Sequence, residues 1–186
     1  MLVGGGVGIP PLYHLASAML RSKIKKEQIH IFLGARNKVL LLCEKEFKKL
    51  GVQVYLSTDD GSKGQKGFVT QALERFLSAL QASHVSTAVQ LFTCGPTPMM
   101  KAVAQICSKK QIACQVSVEV PMACGFGACL GCAVRVRQRT SDNGRQKMQD
   151  DVQSSVLQPS SSESSFRYAI ACTEGPVFDG EDMLWE

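Results

Sequence analysis

The sequence predicts an α/β fold, a doubly wound parallel sheet of five strands followed by a small C-terminal module built on cysteines. Three observations carry that expectation. Short apolar segments alternate with amphipathic ones at helical period from Met1 to Val118; a glycine-rich turn, Gly4-Gly5-Gly6-Val7-Gly8, stands between the first strand and the first helix; and the periodic pattern gives way, past Glu119, to Cys124, Cys129 and Cys132 at C-x4-C-x2-C spacing.

The first strand is expected to end at Val3, because the glycines follow at once. Pro10 then opens a helix reaching about Ser22, in the first turn, where a missing N–H costs nothing. A second strand is expected at 28–33, a helix around 40–50 with its lysines outward, and a third strand at 52–57. After the polar stretch 58–66, Val69, Leu73, Phe76, Leu77 and Leu80 recur at helical spacing. A fourth strand at 88–93, a helix at 99–109 and a fifth strand at 112–118 complete the alternation. Helices between short apolar strands imply parallel pairing, with helices on both faces. Ligands of such sheets bind at the carboxyl ends of the strands, which places Gly4–Gly8, Gly34–Asn37, Asp59–Gly61 and Cys94–Thr97 along one edge.

The domain boundary is expected near residue 118, with a nucleotide-binding domain over 1–118 and the cysteine module over 119–186. Within the module, Ala133 to Arg137 reads as a strand, 138–165 as a polar flexible insertion, and Phe166 to Ala171 as the strand that delivers Cys172.

Composition narrows the chemistry. With 186 residues and 45% hydrophobic content the chain can build a real core. The net charge of +5 comes from scattered lysines and arginines without an aromatic-rich basic element, which reads as solvated surface and not as a nucleic-acid-binding face. Of eight cysteines, Cys43, Cys94, Cys107 and Cys114 stand singly in apolar segments, and four have ligand spacing. That usage points to a reducing, cytoplasmic compartment. No stretch has the length of a membrane span or the layout of a signal peptide.

Three thiolates at C-x4-C-x2-C with a distant fourth match the plant-type 2Fe-2S pattern. Gly125, Gly127 and Gly131 allow backbone amides to approach sulfur closely. A structural zinc ion takes the same four thiolates and stays open as an alternative, although zinc sites usually pair two C-x2-C knuckles and only one is present. The glycine turn departs from the G-x-G-x-x-G fingerprint, since Ile9 occupies the place of its last glycine. Nor does an acid close the second strand; Arg36 stands there and leaves NADP open beside NAD. Glycines leading into a helix still supply free amides and a positive dipole end for a pyrophosphate.

Two loops taken together, Gly4-Gly5-Gly6-Val7-Gly8-Ile9-Pro10 and Cys94-Gly95-Pro96-Thr97-Pro98-Met99, resemble the pyridine-nucleotide domain of the ferredoxin-NADP reductase family. The resemblance implies that Gly4, Gly5, Gly6 and Gly8 hold the dinucleotide phosphates and that Cys94, Gly95 and Pro96 lie beside the nicotinamide. It extends to Asp59 and Asp60, in a loop that lies near the nucleotide in that family. With the run Glu119 to Gly125 and the ending Cys172-Thr173-Glu174-Gly175-Pro176-Val177-Phe178, the chain resembles the electron-transfer subunit of NAD-linked dihydroorotate dehydrogenase.

That resemblance implies a 2Fe-2S cluster on Cys124, Cys129, Cys132 and Cys172, FAD as the flavin between cluster and NAD(H), and a catalytic flavoprotein partner subunit in pyrimidine biosynthesis. No acid–base residue is implied. The family's FAD-binding barrel has no counterpart here, so the resemblance covers its C-terminal part only. It also brings its fourth cysteine back after a short hairpin, whereas 39 residues separate Cys132 from Cys172 here. Two alternatives stand beside it: the reductase subunit of another NAD(P)H-linked flavin and iron-sulfur complex, of the hydrogenase or glutamate synthase type, or a non-catalytic, zinc-stapled nucleotide-binding module.

Overall fold

The computed structural model describes residues 1–82, 88–138 and 166–185. His84 and nearly all of the polar insertion fall outside these residues. The chain divides into two compact units: the first is Met1–Val120 with Pro176–Glu181, and the second is Pro121–Gly175 with Asp182–Glu186.

In the first unit, strands β1 (Leu2–Gly5), β2 (His30–Ala35), β3 (Gln53–Thr58), β4 (Gln65–Lys66), β5 (Gln90–Cys94), β6 (Ala113–Ser117) and β9 (Val177–Asp179) form one sheet. Its order is β4-β3-β2-β1-β5-β6-β9. The five expected strands pair in parallel, and two short edge strands correct the expectation of an all-parallel sheet of five. β4 adds a parallel pair beside β3, with Ser57 opposite Gln65. β9 runs antiparallel to β6, with Val116 opposite Phe178. Strands of two and three residues have no periodicity to read; pairing alone defines them.

Helices α1 (Ile9–Arg21) and α2 (Glu44–Lys49) cover one face. Leu2, Ile31, Leu33, Val54, Leu56, Phe92 and Cys94 point there and pack with Leu12, Ala16 and Phe47. Alternate residues of the same strands serve the other face. There Phe32 stacks on Tyr55 at 4.6 Å between centroids, and both meet Phe76 of α3 (Val69–Ala82). α4 (Thr97–Lys109) runs between β5 and β6 in the chain.

α2 is shorter than expected. A 3-10 turn at Lys38–Leu40, capped by the Asn37 side chain, comes first, and Cys43 then takes a left-handed backbone (φ 54°) that blocks helix before Glu44. β2 also begins later than expected because Lys26–Gln28 forms a 3-10 turn. Among the described residues no helix is long and apolar enough to cross a membrane.

The second unit is a two-stranded antiparallel sheet of β7 (Ala133–Arg137) and β8 (Phe166–Ile170), with the cysteine loop ahead of β7 and a helical turn, Ala171–Glu174, after β8. Arg137 N donates to Asp182 O and Leu184 N to Arg135 O, so the chain end adds to the outer edge of β7. Arg135 lies over the Phe166 ring, 4.3 Å from its centroid.

Candidate functional site

The strand order reverses between β1 and β5, and at such a switch point the loops leaving the two strands diverge and open a crevice. Gly4 and Gly5 end β1, Gly6–Gly8 form a 3-10 turn, and α1 starts at Ile9 with Pro10 in its first turn. Cys94 ends β5, and Pro96 caps α4. Neither α1 nor α4 carries an acid in its first turn, so both helix starts keep their positive dipole ends uncompensated.

The two loops touch backbone to backbone. A Cβ on Gly8 would overlap the carbonyl of Cys94, and a Cβ on Gly95 would stand 2.7 Å from Gly5 O. Gly95 also has φ +151°, a conformation L side chains rarely adopt. Gly6, with φ +54°, faces open space, and Val7 is 66% exposed. The Cys94 thiol is buried, and burial pushes its pKa up, so it stays protonated and uncharged.

The loops after β2 and β3 meet in the same way. Asp59 N donates to Ala35 O, Asp60 N to Arg36 O and Lys38 N to the Ser62 hydroxyl. Arg36, Asp59 and Asp60 are exposed. Hydrogen bonds from the Ser62 hydroxyl and amide hold the Asp60 carboxyl below the usual carboxylate range, so it is fixed as an anion. Thr58, fully buried, pins this loop: its hydroxyl donates to Lys63 O and accepts from Lys63 N. Thr58 opens the loop that carries the resemblance, but no pattern of residues indicated that its hydroxyl pins the loop, since a threonine at a strand end has many roles. Gly4, Gly5, Gly6, Gly8, Cys94, Gly95 and Pro96 thus form one group, and Arg36, Asp59 and Asp60 a second, at the carboxyl ends of neighbouring strands.

The second unit gathers the other candidates. Gly125 (φ 76°), Gly127 (φ 86°) and Leu130 (φ 57°) bend the chain so that amides turn toward sulfur. Cys129 N donates to Cys124 Sγ at 3.4 Å and Gly131 N to Cys129 Sγ at 3.5 Å. The Cys124 thiol is lowered to about 6, first by the Cys129 amide and then by that of Phe126. Cys132 is buried, and Ala171 N donates to its carbonyl, which sets the turn carrying Cys172 beside β7. Burial raises the Cys172 thiol and its hydrogen bond with Cys132 raises it further, while the Gly127 amide opposes both.

Among the described residues, no three His, Cys, Asp or Glu side chains converge as they would around a single metal ion. Cys124 interacts with Cys129 and Cys172 with Cys132, Cys172 also feels the charge of Cys124, and amides aim at the sulfurs. This donor set suits a polynuclear, negatively charged centre.

A pH dependence follows for the metal-free protein. Alkylation of Cys124 is expected to be half-maximal near pH 6, falling below it as the thiolate is protonated, while Cys172 needs a pH above that of an ordinary thiol. Mass mapping of iodoacetamide adducts against pH checks the order.

Residues 2–105 match the family described as oxidoreductase NAD-binding domain, and residues 119–147 match the iron-sulfur cluster binding domain of dihydroorotate dehydrogenase B. Over its whole length the chain is 36% identical to the electron transfer subunit of dihydroorotate dehydrogenase B (NAD(+)) from Caldanaerobacter subterraneus, covering 59% of that protein. It is also 36% identical, over 98% of its length, to the subunit of the same description from Fusobacterium nucleatum, covering 56% of that one. The chain thus spans somewhat more than half the length of these relatives. A solved structure of an NADH-dependent reduced ferredoxin-NADP oxidoreductase superposes with a TM-score of 0.71 at 29% identity, over 99% of this chain and 53% of the other. The chain belongs to the oxidoreductase NAD-binding domain family, and behind that domain it carries a segment of the dihydroorotate dehydrogenase B iron-sulfur type.

Proposed function

We propose that this chain is the nucleotide- and cluster-binding portion of an electron-transfer subunit, serving a dihydroorotate dehydrogenase with NAD+ as final acceptor. The observation that carries the proposal is the amide-lined cysteine loop, in which Cys124, Cys129, Cys132 and Cys172 stand as neighbouring thiols in a chain whose first unit is a nucleotide-binding fold.

These four cysteines would hold a 2Fe-2S cluster, which supplies single-electron transfer when bound. The chain's own work is placement and charge. Amides of Cys129 and Gly131 offset negative charge on sulfur, and the buried Cys132 limits water at one side of the set. At the β1–β5 crevice the amides of Gly6 to Gly8 and the positive dipole end of α1 would take the pyrophosphate. Gly95 and Pro96 would border the nicotinamide, with the Cys94 thiol neutral beside them. Arg36, Asp59 and Asp60 would face the adenosine half, where Asp60 as a fixed anion can accept from ribose hydroxyls and favours NAD, and the Arg36 cation offers a partner to a 2′-phosphate. FAD would be the flavin between cluster and nucleotide, and the dihydroorotate-oxidising flavoprotein would be the partner.

Anaerobic reconstitution with ferrous iron and sulfide tests the assignment. The full chain is expected to turn brown, to retain two irons and two sulfides as the cluster type requires, and to bind NADH. A colourless protein that takes up zinc alone would overturn it. The likeness to the ferredoxin-NADP oxidoreductase structure favours a second assignment with the same cofactors and a different partner, another flavin and iron-sulfur complex. Capture of the partner by the tagged chain separates the two.

A further inference from the structure

Cys172 stands apart from the other three candidate ligands in sequence and depends on a single helical turn for its placement. That turn, Ala171–Glu174, is too short to hold itself, because one hydrogen-bonded turn fixes several residues for very little return. The structure ties it down at three points. Ala171 N donates to Cys132 O at 3.1 Å. The Thr173 methyl packs against Gly127, 3.2 Å from where a Cβ on that residue would stand. At the rear, the Glu174 side chain folds back: Oε1 accepts the Ile170 N–H at 2.8 Å, and Oε2 accepts Arg167 Nη1 at 2.6 Å.

The Glu174 contact closes a ring of residues around Cys172. Ile170, the residue that enters the turn, is 8% exposed, so its amide has little access to water and needs an internal acceptor. The Glu174 and Arg167 side chains are 15% and 22% exposed, and both ends of the pair are therefore partly desolvated. A carboxylate that satisfies the amide before Cys172 and is itself clamped by an arginine on β8 fixes the direction of the Cα–Cβ bond at 172. Outer groups that orient a ligand in this manner commonly control how well the ligand holds its metal.

We propose that the Glu174 carboxylate, clamped by Arg167, is the positioning group that sets the Cys172 thiol against Cys132 and the cysteine loop. The proposal rests on the assignment of the four cysteines to one cluster, and its test separates the two. In the metal-free full chain, Glu174→Ala is expected to speed alkylation of Cys172 by roughly tenfold while Cys124 and Cys129 change by less than about twofold. Arg167→Lys is expected to restore most of the protection that Arg167→Ala removes. After iron and sulfide loading, the Glu174→Ala protein is expected to lose its visible absorption to a chelator roughly tenfold faster than the unaltered chain.

Equal acceleration at all the cysteines would show general loosening and overturn the proposal, and so would an unchanged Cys172. If Cys172 alone accelerates while the unaltered chain takes up no iron and sulfide, the positioning role of Glu174 stands and the cluster assignment falls.

Discussion

Cys129→Ser is expected to abolish the visible iron-sulfur absorption of the reconstituted chain and its passage of electrons, while the NADH dissociation constant stays within about twofold. Cys129 is exposed, and its thiol packs no core, so losing one sulfur costs the fold little. Its chemical loss is large. A serine hydroxyl ionises far less readily than a thiol and is a harder ligand, so it holds iron poorly beside three soft thiolates. The change also removes the sulfur that accepts from Gly131 N.

Nucleotide binding is expected to persist because its candidate residues lie in the first unit and Cys129 lies in the second. Visible spectra, iron and sulfide content and NADH titration of the same sample check all parts together. Retained absorption with full electron transfer would show that Cys129 is not a ligand.

Much of the first unit was legible because its strands are buried on both faces. Leu2-Val3, Ile31-Phe32-Leu33 and Leu91-Phe92 read as short apolar runs, and Val69, Leu73 and Leu77 as a helical stripe. β4 and β9 escaped because two or three residues become a strand only through their neighbours, Ser57–Thr58 and Gln115–Ser117. The shortening of α2 escaped because a left-handed Cys43 is a local backbone choice with no compositional mark.

The cysteine spacing announced the candidate ligands, yet not how the thiols interact with one another and with the loop amides, which depends on where positive-φ residues turn the loop. Glu174 stood in the ending that carried the resemblance, with no role given to its side chain, and Arg167 stood unremarked. Their signal was a carboxylate four residues after Ile170 and two after a candidate ligand, a spacing that gains meaning only once the chain is known to turn there.

Gly8→Ala carries the other large expected effect, a loss of NADH binding by at least tenfold together with a destabilised first unit. Gly8 has an ordinary backbone (φ −75°), so the substitution is not strained by torsion and gains slightly in helix preference. The obstacle is space: the new methyl would enter the carbonyl of Cys94 and the amide of Gly95. A flexible side chain could swing aside, but these are main-chain atoms at the end of β5, held by pairing to β1 and β6 on both sides. Overpacking of this kind costs about 1–3 kcal/mol and more where nothing can yield.

At the upper figure the melting temperature of a chain this size falls by roughly 6–12 °C. The same displacement parts the two loops that form the crevice, so binding falls even in the fraction that stays folded. Gly6→Ala is the control for stability alone, because a Cβ there meets nothing within 4 Å and only the φ of +54° opposes it. Its expected cost is about 1–2 kcal/mol. Equal losses of melting temperature for the two variants would show that the overlap with the Cys94 carbonyl adds nothing beyond the cost of one strained backbone, and would overturn the packing argument at position 8.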